Sequence, residues 1–131
     1  PSSLEDLGLS EALRRHCDLF ARRQEIDLEM RLDYHGGLQP GQEAAIYRIV
    51  QEALANAWRH SGAGQVGVEL TGDHDGVVLT VRDNGRGFDP DKVRRGHGLA
   101  NMEARALQNG GRFSLHSAPG EGAEIRVFFP G

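Results

Sequence analysis

Three short stretches of this chain carry residue types and spacings that could do chemistry. The first is Asp83-Asn84-Gly85-Arg86-Gly87-Phe88, entered by the apolar run Gly76 to Val81. It sets a carboxylate, an amide and two glycines side by side. Glycine reaches backbone angles closed to other residues and lets a ligand approach the main chain. A carboxylate at a strand end, followed by bare backbone, suits a ligand with a donor group and a flat face. Asn84-Gly85 is also a strong type I′ turn signal, so on its own the stretch reads equally as a hairpin. The residues after it argue against the hairpin, which would return at once as an alternating strand. Instead Phe88 to Gly98 is polar, carries Lys92, Arg94 and Arg95, and closes on Gly96-His97-Gly98 before a helical pattern begins.

The second stretch lies in a helical segment, Gln42 to Ser61. At about 100° per residue, Ile46, Ile49, Val50, Ala53 and Ala57 form one apolar stripe. Glu52, Asn56 and Arg59 fall at its edge, within about 60° of one another on the same arithmetic. Glu52 and Asn56 are four residues apart and therefore neighbours on the helix surface. An acid and an amide at the rim of a core face suit a hard divalent cation, which takes oxygen ligands. The same pattern also describes a solvated helix face that carries an asparagine. The third stretch is the junction from Gly98 into the next helix, a candidate anion site because free N–H groups point outward from a helix start. The flap before it reads as a mobile lid or as an ordinary exposed loop.

Composition narrows the surroundings. The chain has 131 residues, 26% of them charged, with a net charge of -4. That length supports one domain with a core of its own. Mild acidity argues against a general nucleic-acid binder, which presents a basic face. No apolar run approaches the roughly 20 residues of a membrane span, and no signal-peptide pattern opens the chain. One cysteine excludes an internal disulfide and fits a reducing compartment. Cys17 falls on the apolar side of a helix and reads as a buried, inert thiol. The six histidines show no metal-ligand spacing. The chain opens at Pro1 without an initiator Met, as an excised piece of a longer protein would.

The elements that must position these residues are set by periodicity. Ser10 is placed to cap a helix running to about Gln24, with Leu13, Cys17, Phe20 and Ala21 on its apolar face. Ile26, Leu28, Met30 and Leu32 alternate as a half-buried strand, and Tyr34 to Gly41 reads as a loop. Val66 to Leu70 and Val77 to Val81 form a hairpin that feeds the Asp83 loop. Leu99, Met102, Glu103, Ala106 and Leu107 form a helix stopped by Gly110-Gly111. Phe113 and Leu115, the turn Pro119-Gly120-Glu121-Gly122, and Ile125, Val127 and Phe129 form a closing hairpin. Hairpin connections dominate, which predicts an α+β fold: a two-layer α/β sandwich with a mixed, mostly antiparallel sheet and helices on one face. In such a sandwich the three polar stretches can share one pocket.

Together these stretches resemble the nucleotide-binding boxes of the GHKL ATPase superfamily, which includes sensor histidine kinases, type II topoisomerases and anti-sigma-factor kinases. Ile46 to His60, reading IYRIVQEALANAWRH, looks like the N box; Asp83 to Phe88 looks like the G1 box; Gly96-His97-Gly98-Leu99-Ala100-Asn101-Met102 looks like the G2 box. The wording is close to two-component kinases of the NarL-partner type, and the similarity extends to the Asp6-Leu7-Gly8-Leu9 opening. The resemblance implies a Bergerat-type ATP-binding fold spanning residues 1–131 as a single catalytic domain, with ATP and Mg²⁺ as cofactors. It implies that Asp83 accepts a hydrogen bond from the adenine amino group, with Gly85 and Gly87 leaving room beside the purine. Asn56 would ligate Mg²⁺, Glu52 would act as general base or polarising carboxylate at the phosphoryl acceptor, and Arg59 and His60 would approach phosphate. Gly96, His97, Gly98 and Leu99 would belong to a lid hinged at its glycines.

Two departures stand out. Ala123 occupies a position where such kinases often carry a threonine, whose hydroxyl would help hold the adenine-side carboxylate or its water. Nothing resembles a phosphoacceptor histidine box, since His16 and His35 lack its flanking residues. The expectation is therefore a cytoplasmic kinase fragment, from a parent that can be membrane-anchored, not competent for autophosphorylation alone. It would act on a histidine-bearing dimerisation domain, serve a response regulator indirectly, touch neither nucleic acid nor membrane directly, and be monomeric. Two other readings are an anti-sigma-factor serine kinase of the same fold and a non-catalytic interaction module with a relic pocket.

Overall fold

Asp83 ends the middle strand of a five-stranded sheet, and the packing of the chain explains why. The computed structural model describes residues 2–87 and 97–131, with the side chains of Ser2, Ser3, His60, Ser61 and His97 outside that description. A short helix α1 (Ser2–Leu7) leads into α2 (Leu9–Gln24). Strand β1 (Asp27–Tyr34) comes next, then helix α3 (Pro40–Asn56), which runs into a π-helical turn, Ala57–Ser61. Strands β2 (Gln65–Asp73) and β3 (Gly76–Asp83) form a hairpin. Helix α4 (His97–Gln108) and the strands β4 (Arg112–Ser117) and β5 (Ala123–Pro130) complete the order.

The sheet order is β1-β2-β3-β5-β4. Only β1 and β2 pair in parallel; the other three pairings are antiparallel. The parallel pair needs a crossover, which α3 supplies. Period-two alternation sends Val68, Leu70, Val77, Leu79, Val127 and Phe129 to one face, where they are buried. Leu13 and Cys17 of α2, Ile46, Ile49, Val50 and Leu54 of α3, and Met102 and Ala106 of α4 join them in one core. Cys17 is fully buried, and burial, then the nearby Asp18, push its thiol up to about 12. The expected inert thiol is what the fold contains.

Three local expectations need correction. Ser10 does not cap α2: the cap is Gly8, with φ of 78°, and no side chain caps the helix. Gly8 N–H still bonds Leu4 O at 3.0 Å, and Gly8 O accepts Ala12 N–H at 3.0 Å. One left-handed glycine thus joins α1 to α2, and Ser10 lies inside the first turn. Helix α3 begins at Pro40, two residues before the expected start, because proline is preorganised for a first helical position. Gln39 N–H closes that end on Gln42 Oε1 at 2.9 Å. Tyr34 belongs to β1 and not to the loop after it. Its hydroxyl donates to Glu43 Oε2 at 2.9 Å and accepts Leu38 N–H at 3.2 Å, tying the loop to α3. Burial, with the Glu43 carboxylate, pushes this phenol up to about 12.

Candidate functional site

The site end of the sheet is a single row of register partners. Leu28, Val66, Asp83, Ala123 and Ser117 sit side by side across all five strands. Cross-strand partners share a face, so Asp83 points to the helix side, half-buried, with Ala123 beside it. The next residue along, Ser117, is buried and donates from Oγ to Gly122 O at 2.7 Å. The hydroxyl closest in register to Asp83 on that side therefore belongs to Ser117. Asp83 Oδ1 accepts Gly85 N–H at 2.8 Å, which turns the chain out of β3.

Glycines lock this turn against the β4–β5 loop. Gly87 has φ of 63°, and a Cβ there would collide with Ala118 O and lie 2.8 Å from Gly122 O. Gly122 has φ of 72°, and a Cβ there would collide with Asp83 O. Both positions need glycine for main-chain packing. By sequence Gly122 reads only as part of a turn; its alternation with Gly120 is the one signal available.

The second half of the site is built by α3. Ile46, Ile49, Val50, Ala53 and Ala57 are all buried, so the stripe is as expected. Glu52 and Asn56 stand at its rim, half-buried. Past Asn56 the helix widens into the π turn, a feature often found at functional sites. Arg59, in that turn, sets Nη2 3.8 Å from Glu52 Oε1 and donates from Nε to Ala55 O at 3.4 Å. The three residues are thus together, as the angular arithmetic implies. Helix α4 starts at His97, and Gly98 presses its backbone on the same pair. A Cβ at Gly98 would lie 3.1 Å from Asn56 Nδ2 and would collide with Glu52 Oε1. Leu99 packs against the core. The side chains of His60 and His97 and the whole of Gly96 and Phe88 lie outside the described residues.

A connector that the sequence does not announce joins the two halves. Gly62, Ala63 and Gly64 carry the chain from the π turn into β2. Asn84 Oδ1 accepts Gly64 N–H at 3.1 Å and Gln65 N–H at 2.9 Å. Its one signal is the Asn in Asn84-Gly85, which reads as turn chemistry. A hollow of ≈ 300 Å³ opens at this end of the sheet, lined by Val66, Asp83 and Asn84 and by five others, Asp27, Glu29, Gln65, Gly67 and Arg82. These five lie on the outer face, away from Glu52 and Asn56. Among the described residues no cluster of three or more His, Cys, Asp or Glu could hold a metal ion unaided.

The described site residues are thus a carboxylate at a strand end and, on α3, an acid–amide pair with a helix start pressed on it. A sequence profile of the histidine kinase-, DNA gyrase B- and HSP90-like ATPases matches residues 41–131. The chain belongs to this ATPase family. Among relatives of this domain, the sensor histidine kinase LiaS of Bacillus subtilis is 40% identical over 131 residues, covering 99% of this chain and 36% of LiaS. The sensor protein VraS of Staphylococcus haemolyticus is 37% identical, covering 99% of this chain and 37% of VraS. Of solved structures, the mycobacterial sensor histidine kinase MprB superposes with a TM-score of 0.68 at 26% identity, covering 93% of each chain. The chain spans little more than a third of the length of the curated relatives it matches. It is an ATPase domain of the kind that sensor histidine kinases carry. No described helix is long and apolar enough to cross a membrane.

Proposed function

We propose that residues 1–131 are the catalytic domain of a sensor histidine kinase. The domain would bind Mg-ATP and deliver the γ-phosphoryl group to a histidine on a separate dimerisation domain, for relay to a response regulator. The observation that carries this reading is the meeting of Gly98 with Glu52 and Asn56 at the rim of α3. A side chain at position 98 would collide with the Glu52 carboxylate, whereas glycine leaves bare backbone beside two oxygen-bearing side chains. That donor set fits a hydrated divalent cation, which keeps several waters and takes few protein ligands.

Bound Mg-ATP would supply the transferable phosphoryl group and the cation that neutralises its charge. Asp83, through its carboxylate, accepts the adenine amino hydrogen, while Gly85 and Gly87 leave the purine a flat approach. Guanine offers a carbonyl at that edge and would leave the carboxylate unpaired, at a cost of roughly 1–3 kcal/mol. Asn56 contributes its carboxamide oxygen to the cation. By the family resemblance, Arg59 and His60 would approach the phosphates. Glu52 accepts the proton that the attacking imidazole gives up. Gly96 and Gly98 would hinge a lid over the triphosphate, with His97 and Leu99 beside them. Most of the rate comes from positioning and charge neutralisation, as phosphoryl transfer requires.

Calorimetric titration with ATP, with and without Mg²⁺ and with GTP as control, tests the binding step. Trp58, the chain's one tryptophan, is 49% exposed beside Arg59 and gives a second, optical readout. Adenine-selective, Mg²⁺-dependent binding is expected. Transfer is then tested by adding a histidine-bearing helical domain in trans and looking for acid-labile phosphohistidine. No binding, or acid-stable phosphoserine, overturns the proposal.

A further inference from the structure

Asn84 is exposed, yet both its backbone and its side chain are hydrogen-bonded. Its backbone N–H donates to Gln65 O at 3.2 Å, extending the β2–β3 ladder by one bond beyond Asp83. Its Oδ1 accepts two successive N–H groups, those of Gly64 and Gln65. Its Nδ2 reaches Gln65 Oε1 at 3.4 Å. The segment it grips is the connector that leaves the π turn of Arg59 and enters β2. That connector is gripped elsewhere too: Gly64 O accepts Asp27 N–H at 3.1 Å, and Ala63 is buried. Gly62, with φ of 63°, faces the Arg86 guanidinium, 3.6 Å from where a Cβ would stand. On its other flank the loop is tied down by Gly120 N–H donating to Arg86 O at 2.5 Å.

We infer that Asn84 is a positioning residue for nucleotide selection: its side chain fixes the Asp83 loop to the connector from the Arg59 turn, so that the base-side carboxylate keeps its place relative to the phosphate-side helix. The inference rests on the ATP-binding reading. Two features separate this role from simple folding support. Asn84 buries no apolar surface, so little core energy depends on it. Its bonds also run to a connector of only three residues, which carries any shift of the loop directly to α3. A carboxylate can accept the same two N–H groups in place of the amide oxygen, so aspartate retains the grip and alanine loses it.

The experiment uses Asn84→Ala, Asn84→Asp, Asp83→Asn and the Asp83→Asn/Asn84→Ala double variant of this chain. Each is titrated with ATP and GTP and melted thermally. Asn84→Ala is expected to weaken ATP binding about tenfold while leaving GTP binding nearly unchanged, since the two hydrogen bonds that hold the loop to the connector are lost. Asn84→Asp should recover most of the ATP affinity. In the Asp83→Asn background, Asn84→Ala should add no further loss, the signature of two residues acting as one unit. Unchanged ATP affinity in Asn84→Ala overturns the inference. So does an equal loss for ATP and GTP that tracks a lowered melting temperature, or an additive double variant. If the unmodified chain binds neither nucleotide, the ATP reading itself fails and takes this inference with it, an outcome distinguished by the silence of the unmodified chain.

Discussion

The backbone of Gly98, in the first turn of α4, lies directly against the carboxylate of Glu52 in α3, with no room between them for a methyl group. Gly98 is not in the left-handed region, so no backbone strain demands glycine there. The demand is spatial. Residues 46 apart in sequence thereby set the distance between the α4 start and the acid–amide pair.

Gly98→Ala separates these effects. Helix propensity alone would stabilise the domain by up to about 1 kcal/mol, because alanine is the better helix former. The contact with Glu52 works the other way and displaces the carboxylate. The expected outcome is a folded domain with no gain in stability and phosphotransfer reduced on the order of a hundredfold, the cost of a ~1 Å misplacement at a reacting centre. Urea unfolding and transfer assays in trans would check it. A stabilised variant with full activity would show that the contact is slack.

Glu52→Gln keeps the shape and removes the charge. The carboxylate and the Arg59 guanidinium are 37% and 50% exposed and 3.8 Å apart, so their attraction is screened and worth less than about 1 kcal/mol. The melting temperature should therefore move by less than about 4 °C. Phosphotransfer should fall by roughly 10² to 10⁴, the range for loss of a general base. Activity within about threefold of the parent would remove Glu52 from its proposed role.

Gly122→Ala tests the lock between the Asp83 turn and the β4–β5 loop. Alanine at φ of 72° is strained, and its Cβ would collide with Asp83 O. Left-handed strain and overpacking together should destabilise the domain by roughly 2–4 kcal/mol. The urea midpoint should fall with little change in slope. A loss under about 0.5 kcal/mol would mean that the loop has moved aside at little cost.

The layers of this fold are legible because the sequence is strictly patterned. Val66 to Leu70 and Val77 to Val81 alternate, and Ile46 to Ala57 repeats at helical spacing, so one face of each element has to be buried. Glu52, Asn56 and Arg59 share one helix, so the period alone brings them together. The remainder depends on contacts between distant segments. Asn84 and Gly64 are 20 residues apart, and Gly122 and Asp83 are 39 apart. Helix α1 has only six residues, too few to display a period. The start of α2 misleads because a left-handed glycine, which leaves no side-chain signature, does the work that Ser10 is expected to do.

Burial of His16 gives the domain a pH dependence. Its ring meets Tyr47 edge to face, with centroids 6.1 Å apart, and burial lowers its pKa from the ordinary value. The unfolded chain therefore takes up a proton on this side chain at a higher pH than the folded one. Between the two pKa values the unfolded state holds more protons, so stability rises with pH in that window. As pH falls from about 7.5 through the ordinary histidine range of about 6.5, this contribution drains away, and it levels off below the folded pKa. Urea unfolding at about pH 7.5 and about pH 5.5, on either side of that range, should show the parent losing more stability across the interval than His16→Gln. Equal losses in the two proteins would assign the pH dependence to other groups.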